Sequence, residues 1–158
     1  MTSEPLAEQV LDRLAVQDVV RRYFELVDTK AWNQFDEVVT EDTTARWTAD
    51  SMVQGRPALV AATQHMVGSD EIVTYHHVAT MSPVVHGDKA EVTARVRAMH
   101  YGLGRREGKF YESLASQPTK LVRTPEGWRI AHHDWVIAVK LGSMEDLFAP
   151  ELAAGKRH

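Results

Sequence analysis

The sequence predicts an α+β domain in which a curved antiparallel sheet forms a cone around N-terminal helices. Apolar residues recur at helical spacing in the first part of the chain. In most of the remainder they alternate with polar residues at a spacing of two, in runs separated by short turns. Helices that precede a meander of long strands are typical of an α+β domain, and the open end of such a cone is a natural pocket for a small molecule.

Length and composition narrow the possible functions. The 158 residues are most simply one domain, residues 1–158, which is large enough to bury a core. A formal net charge of −4 argues against nucleic acid or an anionic membrane as a partner. Without cysteine the chain has no disulfide framework and no thiolate nucleophile. No leader-like start and no long apolar run is present, so we expect a cytoplasmic protein without membrane contact.

Three helices are predicted before the long strands. Residues 4–28 carry an apolar stripe at helical spacing, and a second, shorter helix is expected over residues 31–39. Pro57 opens a third helix over residues 55–66, because proline is well tolerated in a first helical turn. A final helix is expected over residues 144–153 with Ser143 as its cap.

The strands are predicted from alternation and from the turns between them. We expect strands over residues 44–48, 51–54, 71–85, 90–102, 109–123 and 128–141. The strand over 109–123 is expected to be interrupted near Pro118, because proline cannot donate a hydrogen bond to a neighbouring strand. A homo-oligomer, dimer or trimer, is expected on the outer sheet face, where Trp135, Ile137 and Val139 would otherwise expose apolar surface.

Two histidines are the main candidates for chemistry. In the strand over 90–102 the even positions are apolar and end in His100, so this ring is predicted to face inward. In the preceding strand the odd positions are the more apolar, which places His77 and Tyr75 inside and His76 outside. His133 is likewise assigned to the surface. Each buried imidazole needs a partner, and its proton moves easily near neutral pH.

Several short motifs resemble a known family. They are VDTKAW at residues 27–32, YHH at 75–77, RAMHY at 97–101 and RTPEGWRI at 123–130. With the order of helices and strands, they resemble the SnoaL-like branch of the nuclear transport factor 2 superfamily, most closely the scytalone dehydratase type, over about residues 5–150. The resemblance implies a cystatin-like α+β barrel and acid–base chemistry that needs no cofactor and no metal.

The resemblance also implies site residues. Asp28 matches the family's aspartate at the end of the first helix, and His77 and His100 match its two histidines. Val27 and Trp47 replace two tyrosines that hold the leaving water in that family. Substrate contacts are expected from Trp47, from a serine position matched by Ser116, from the phenols of Tyr23 and Tyr75, and from His132, whose face depends on the regularity of its strand.

These residues predict proton transfer beside a carbonyl group, with one imidazole as base and the other as donor. We expect a dehydratase acting on a small apolar hydroxy- or oxo-compound. Isomerisation or cyclisation by the same residues, and a non-catalytic binding module, are the alternatives. A metal site built from Asp28, His77, His100 and His132 is a further alternative, although the chain has no His-x-His or His-x-x-x-His spacing of the kind typical of metal ligands.

Overall fold

The computed structural model describes residues 5–148. The helices are α1 (Leu6–Asp28), α2 (Arg56–Val67) and α3 (Met144–Leu147), with 3₁₀ helices at Trp32–Glu37 and Gly104–Arg106. The strands are β1 (Val39–Thr48), β2 (Ser51–Gln54), β3 (Ile72–Met81), β4 (Val84–His86), β5 (Lys89–Gly102), β6 (Phe110–Thr124), β7 (Gly127–Asp134) and β8 (Val136–Gly142). Helices precede the long strands, as the sequence predicts.

The strands of this part of the chain form one curved, unclosed sheet. Its order is β2-β1-β7-β6-β5-β3, while β4 also pairs with β5 and β8 with β6. All pairings are antiparallel except the parallel pair of β1 with β7. The predicted α+β class with a curved antiparallel sheet is therefore confirmed.

Helix α1 packs its apolar stripe against the inner face of the sheet. Val16, Val20, Phe24 and Val27 are buried at the helical spacing that the sequence predicts. The helix ends where Lys30 adopts a left-handed backbone conformation, with φ of 56°. This stop leaves Asp28 as the last residue of α1, beside strand β3.

Several predicted elements differ in the structure, among them the strand over 71–85, which is divided into β3 and β4. Residues 32–37 form a 3₁₀ helix rather than the predicted α-helix, and β1 begins at Val39. Strand β6 continues through Pro118, whereas the predicted last strand is broken at Trp135. Pro118 pairs with Thr93 of β5 and lies between the residues of β6 that pair with β8 and those that pair with β7, and the strand runs through it without a break. The end of the predicted helix over 144–153 lies outside the described residues.

A register shift in β3 reverses the predicted faces of that strand. Val78 pairs with Val96 and Met81 with Ala94, so β3 has one extra residue between them. From Ile72 to Val78 the even residues face inward, although counting back from the tight turn at 86–89 would place the odd ones there. The prediction that His77 and Tyr75 face inward and His76 outward is therefore wrong.

A second register shift, in β7, exchanges the faces of two adjacent histidines. Ile130 pairs with Leu121 and His132 with Lys120, which leaves Ala131 as an extra residue. Ile130 and His133 consequently both face the core, and the assignment of His133 to the surface is wrong.

Two of the three residues behind the homo-oligomer prediction are also placed differently. Trp135 and Ile137 line an internal cavity rather than the outer face, while Val136, Val139 and Leu141 are exposed. The homo-oligomer stays a prediction that sedimentation can check.

Within residues 5–148, none of the helices has the length and apolar character needed to cross a membrane.

Candidate active site

A cavity of about 400 Å³ lies between the helices and the inner face of the sheet. Most of its walls are apolar or aromatic, and its polar groups are few. Its lining includes Tyr23, Phe24, Val27, Trp47, Met66, Val67, His76, His100, Tyr111, Ser113, Gln117, His133, Trp135, Ile137, Lys140, Met144 and Phe148. Apolar walls with a small number of polar groups are typical of small-molecule sites.

Asp28 and His76 form a hydrogen-bonded pair at one wall of this cavity. His76 Nδ1 lies 2.6 Å from Asp28 Oδ1, and the two side chains are 7% and 20% exposed. A carboxylate can only accept here, so neutral His76 carries its proton on Nδ1 and a lone pair on Nε2. Asp28 lines a separate hollow on the other side of the ring, and His76 borders both spaces. The arrangement leaves Nε2 as the nitrogen available to the cavity.

Two further hydrogen bonds hold the carboxylate in place. Thr74 donates its hydroxyl to Asp28 Oδ1 at 2.9 Å, and the backbone N–H of His76 donates to Oδ2 at 2.9 Å. Burial acts to raise the pKa of Asp28, but the hydrogen bonds and charge of His76, together with Thr74, hold it below its usual value. A negative charge at a helix C-terminus is otherwise unfavourable. These donors therefore keep Asp28 ionised beside the imidazole.

His100 lies next to His76 on the inner face, with 5.6 Å between the ring centroids. Its Nδ1 lies 3.2 Å from the backbone oxygen of Tyr111. That oxygen only accepts, so Nδ1 bears the proton and Nε2 has a free lone pair. Burial, and then the charge of His76, lower the pKa of His100 to about 4. At neutral pH His100 thus offers a hydrogen-bond acceptor, not the proton donor that the sequence analysis assigned to one of the two imidazoles.

A third histidine, His133, also lines the cavity. It is 1% exposed, and its Nε2 lies 3.4 Å from both Trp47 Nε1 and the Tyr23 hydroxyl. Burial lowers the pKa of His133 to about 4, so the ring is neutral at neutral pH. Tyr23 and Trp47 line the cavity as predicted, and both contact this histidine.

Strand β6 contributes further polar groups to the cavity. Tyr111, Ser113 and Gln117 lie on its inner face, and the side chains of Tyr111 and Ser113 interact there. Ser116 lies on the opposite face, because neighbouring residues of a strand point to opposite sides. The placement of Ser116 in the pocket is therefore wrong, and Ser113 occupies a pocket position instead.

Three other predicted site residues lie outside the cavity. Tyr75 is 61% exposed and His77 is exposed beside it on the outer face of β3. His132 lies in an open groove on the outer face, where it contacts Thr44 and Asp134. The structure therefore does not assemble the predicted ligand set of Asp28, His77, His100 and His132. Among residues 5–148 no group of three or more acidic or histidine side chains is arranged to hold a metal ion.

Sequence reasoning missed His76 and His133. A signal for His76 exists in the even positions of β3, because Ile72 and Val78 continue its face with two β-branched apolar residues. For His133 the sequence offers no comparable signal, since the extra residue that turns it inward is an ordinary alanine.

The chain matches the family described as the SnoaL-like domain over residues 8–134. No curated protein matches the sequence. Among solved structures, the Kfla4162 protein of Kribbella flavida is similar with a TM-score of 0.80 and 20% identity, covering 88% of this chain and 98% of that one.

Two further structures share the fold. A candidate scytalone dehydratase from Novosphingobium aromaticivorans has a TM-score of 0.76 and 16% identity, over 85% of this chain and 89% of that one. The hexachlorocyclohexane dehydrochlorinase LinA-type3 from Novosphingobium barchaimii has a TM-score of 0.75 and 12% identity, over 87% and 93%. At these identities the likeness establishes a common fold.

Proposed function

Because this chain belongs to the SnoaL-like domain family, we propose that it is a cofactor-independent dehydratase acting on a small, apolar β-hydroxy carbonyl compound. The observation that carries the proposal is the Asp28–His76 pair beside an aromatic cavity. The candidate scytalone dehydratase and the dehydrochlorinase, whose names denote elimination reactions, share this fold.

His76 acts as the base in the proposed reaction. Its Nε2 takes a proton from the carbon next to the substrate carbonyl, and Asp28 stabilises the imidazolium that forms. The ring of Phe24 stacks on His76 with 4.9 Å between centroids, which fixes the plane of the imidazole. A positioned base of this kind is worth about 10²- to 10⁴-fold in rate.

His100 holds the leaving group. Its Nε2 lone pair accepts a hydrogen bond from the substrate hydroxyl and brings that oxygen towards His76, whose ring is adjacent. The His76 imidazolium then returns its proton to the departing oxygen. The C–H and C–O bonds break, a C=C bond forms, and water leaves with His76 again neutral.

The remaining walls favour an apolar substrate. Phe24, Val27, Trp47 and Trp135 border the reacting groups and exclude water. A water-poor site strengthens the interaction of Asp28 with the imidazolium. The preference is therefore for a compact aromatic or polycyclic compound rather than a highly charged one.

The test uses the β-hydroxy derivative of α-tetralone, a bicyclic ketone whose dehydration yields the fluorescent product α-naphthol. We expect turnover by the wild type and a loss of about 10²-fold or more in His76→Gln. His77→Gln is the matched control, because it alters the adjacent histidine on the outer face. Binding of the compound without product formation would support the non-catalytic alternative.

A further inference from the structure

Lys140 is the only lysine or arginine among the described residues that line the cavity. These residues include no aspartate or glutamate, and Lys140 has no ion-pair or hydrogen-bond partner within residues 5–148. Its side chain is exposed, so its ammonium group lies at the open end of the cavity. An unpaired cation at the mouth of a largely apolar cavity favours a ligand with an anionic group.

An extra residue in strand β8 turns Lys140 towards the cavity. Ile137 and Val139 pair with adjacent residues of β6, which leaves Ala138 as the extra residue. In a regular strand, residues three apart point to opposite faces. Here both Ile137 and Lys140 line the cavity. Such irregularities often redirect a side chain next to a functional site, so the inward position of Lys140 is a feature of the backbone.

Lys140 and the proposed base His76 lie at the two ends of one row of paired residues. His76 of β3 pairs with Ala98 of β5, which pairs with Ser113 of β6. Ser113 in turn pairs with Lys140 of β8. Neighbouring strands are about 4.8 Å apart, so the three steps span about 14 Å along the sheet. Because both end side chains reach into the same cavity, the gap between their nitrogens is shorter than this span.

The two residues between the ends of this row have small side chains. Ala98 and Ser113 line the cavity, and neither extends far above the sheet. Phe24 and Trp135 supply aromatic surface beside them. A flat ring system therefore has room over the middle of the row, with one edge at His76 and the other towards Lys140.

We propose that Lys140 binds a carboxylate of the ligand at the mouth of the cavity. A single ammonium matches a singly charged group, which favours a carboxylate over a phosphate carrying close to about two charges. The inference deepens the proposed function and rests on it only for the placement of the reacting carbon at His76. The substrate class is then a bicyclic hydroxy-keto acid whose carboxylate is at the end away from the reacting carbons.

Calorimetric titration with two unreactive ketones tests the charge. One is an α-tetralone carboxylate, substituted on the aromatic ring far from the α-carbon, and the other is the corresponding carboxamide, which has the same shape without the charge. The wild type should bind the carboxylate about tenfold more tightly at low salt. This preference should shrink as the salt concentration rises. Equal affinity for the two compounds, or no measurable binding of either, overturns the proposal.

Variants then locate the cation. Lys140→Met keeps most of the side-chain length and removes the charge, so the preference for the carboxylate should be lost. Lys140→Arg keeps the charge and should retain it. Lys120→Met is the matched control, because Lys120 lies in the open groove on the outer face, and it should behave as the wild type. A preference that survives in Lys140→Met, or is lost in Lys120→Met, contradicts the proposal.

Dehydration assays separate this proposal from the proposed function. If the carboxylate preference depends on Lys140 while no β-hydroxy ketone is dehydrated, the proposed reaction fails and the anion site stands. If the β-hydroxy derivative of α-tetralone is dehydrated while the carboxylate binds no better than the carboxamide, the anion site fails and the reaction stands. Where both hold, Lys140→Met should raise KM for the hydroxy-keto acid about tenfold and lower kcat far less, since the ion pair is made before and during the reaction.

Discussion

Two aspartate–histidine pairs occur on opposite faces of the sheet, and they differ in their surroundings. Asp28 and His76 are 2.6 Å apart beside the cavity, with side chains 20% and 7% exposed. Asp134 and His132 are 3.2 Å apart in an open groove, with side chains 33% and 24% exposed. The same two residue types therefore occupy a shielded site and a solvated one.

The difference shows that the pair alone does not make a catalytic site. The carboxylate of Asp28 receives two donors besides the ring, and a second imidazole faces the same space. His132 instead shares its other nitrogen with Thr44, 2.7 Å away, so neither of its nitrogens is left for a substrate. The pair of Asp28 and His76 differs from the outer pair in three ways: it is more buried, its carboxylate accepts two additional hydrogen bonds, and one nitrogen of its histidine has no partner among the described residues.

The largest expected effect is the loss of the base in His76→Gln. Turnover of the β-hydroxy tetralone should fall by about 10²- to 10⁴-fold. His132→Gln should retain activity within about twofold, because surface changes of this kind have small effects. Steady-state kinetics of the two variants measures the contrast, and equal losses would remove the distinction between the pairs.

The second-largest effect is expected when the aspartate of the buried pair is replaced. Asp28→Asn keeps the volume and one acceptor but removes the charge that stabilises the imidazolium, so kcat should fall by about 10²-fold. Its melting temperature should hold or rise, since sites built for chemistry often reduce stability. Asp134→Asn is the matched control and should leave kcat unchanged. A large fall in melting temperature with full activity would make Asp28 a structural residue.

A third prediction concerns pH. His100 and His133 have pKa values near 4 in the folded protein, against an ordinary 6.5. Between those values the unfolded chain binds more protons, so stability is fully present above about 6.5 and falls as the pH drops towards 4. Each histidine accounts for on the order of 3 kcal/mol.

Urea unfolding at a series of pH values checks this prediction. His133→Phe should flatten the pH dependence by about half, because it removes one of the two buried imidazoles. The same change at His132, which is partly exposed, should leave the slope as in the wild type. A slope that is insensitive to both changes would contradict the buried, neutral state of His133.

The smallest expected effect is on KM, and it should differ between two serines of β6. Ser113 lines the cavity and Ser116 lies on the outer face. Ser113→Ala should raise KM by about two- to tenfold through the loss of one hydrogen bond to the ligand. Ser116→Ala should leave both kcat and KM unchanged in the same assay. A larger effect at Ser116 than at Ser113 would mean that the substrate binds on the outer face of β6.

The fold and the orientation of strand β5 can be predicted from the sequence, because the spacing of apolar residues in these segments is unbroken. Strand β5 alternates without interruption, so the inward position of His100 follows from its spacing alone. Asp28 was found because a short motif marks the end of α1. The positions of His100 and Asp28 depend only on neighbouring residues in the chain, so a single sequence is enough to predict them.

The other two histidines depend on how neighbouring strands align. One extra residue between Val78 and Met81, and another at Ala131, place His76 and His133 on the inner face instead of His77 and His132. Neither site carries a glycine or proline to mark it, so alternation counted along the chain assigns His77 and His132 to the pocket. Cross-strand pairing decides instead for His76, which lies opposite the inward Ala98.

The most direct measurement of the central claim is hydrogen–deuterium exchange next to a carbonyl. α-Tetralone in D₂O at neutral pD needs no leaving group, so NMR of its α-protons reports proton removal alone. The wild type should accelerate exchange above the buffer rate, His76→Gln should return it to that rate, and His132→Gln should match the wild type. Exchange that persists in His76→Gln, or is lost in His132→Gln, would contradict the assignment of His76 as the base.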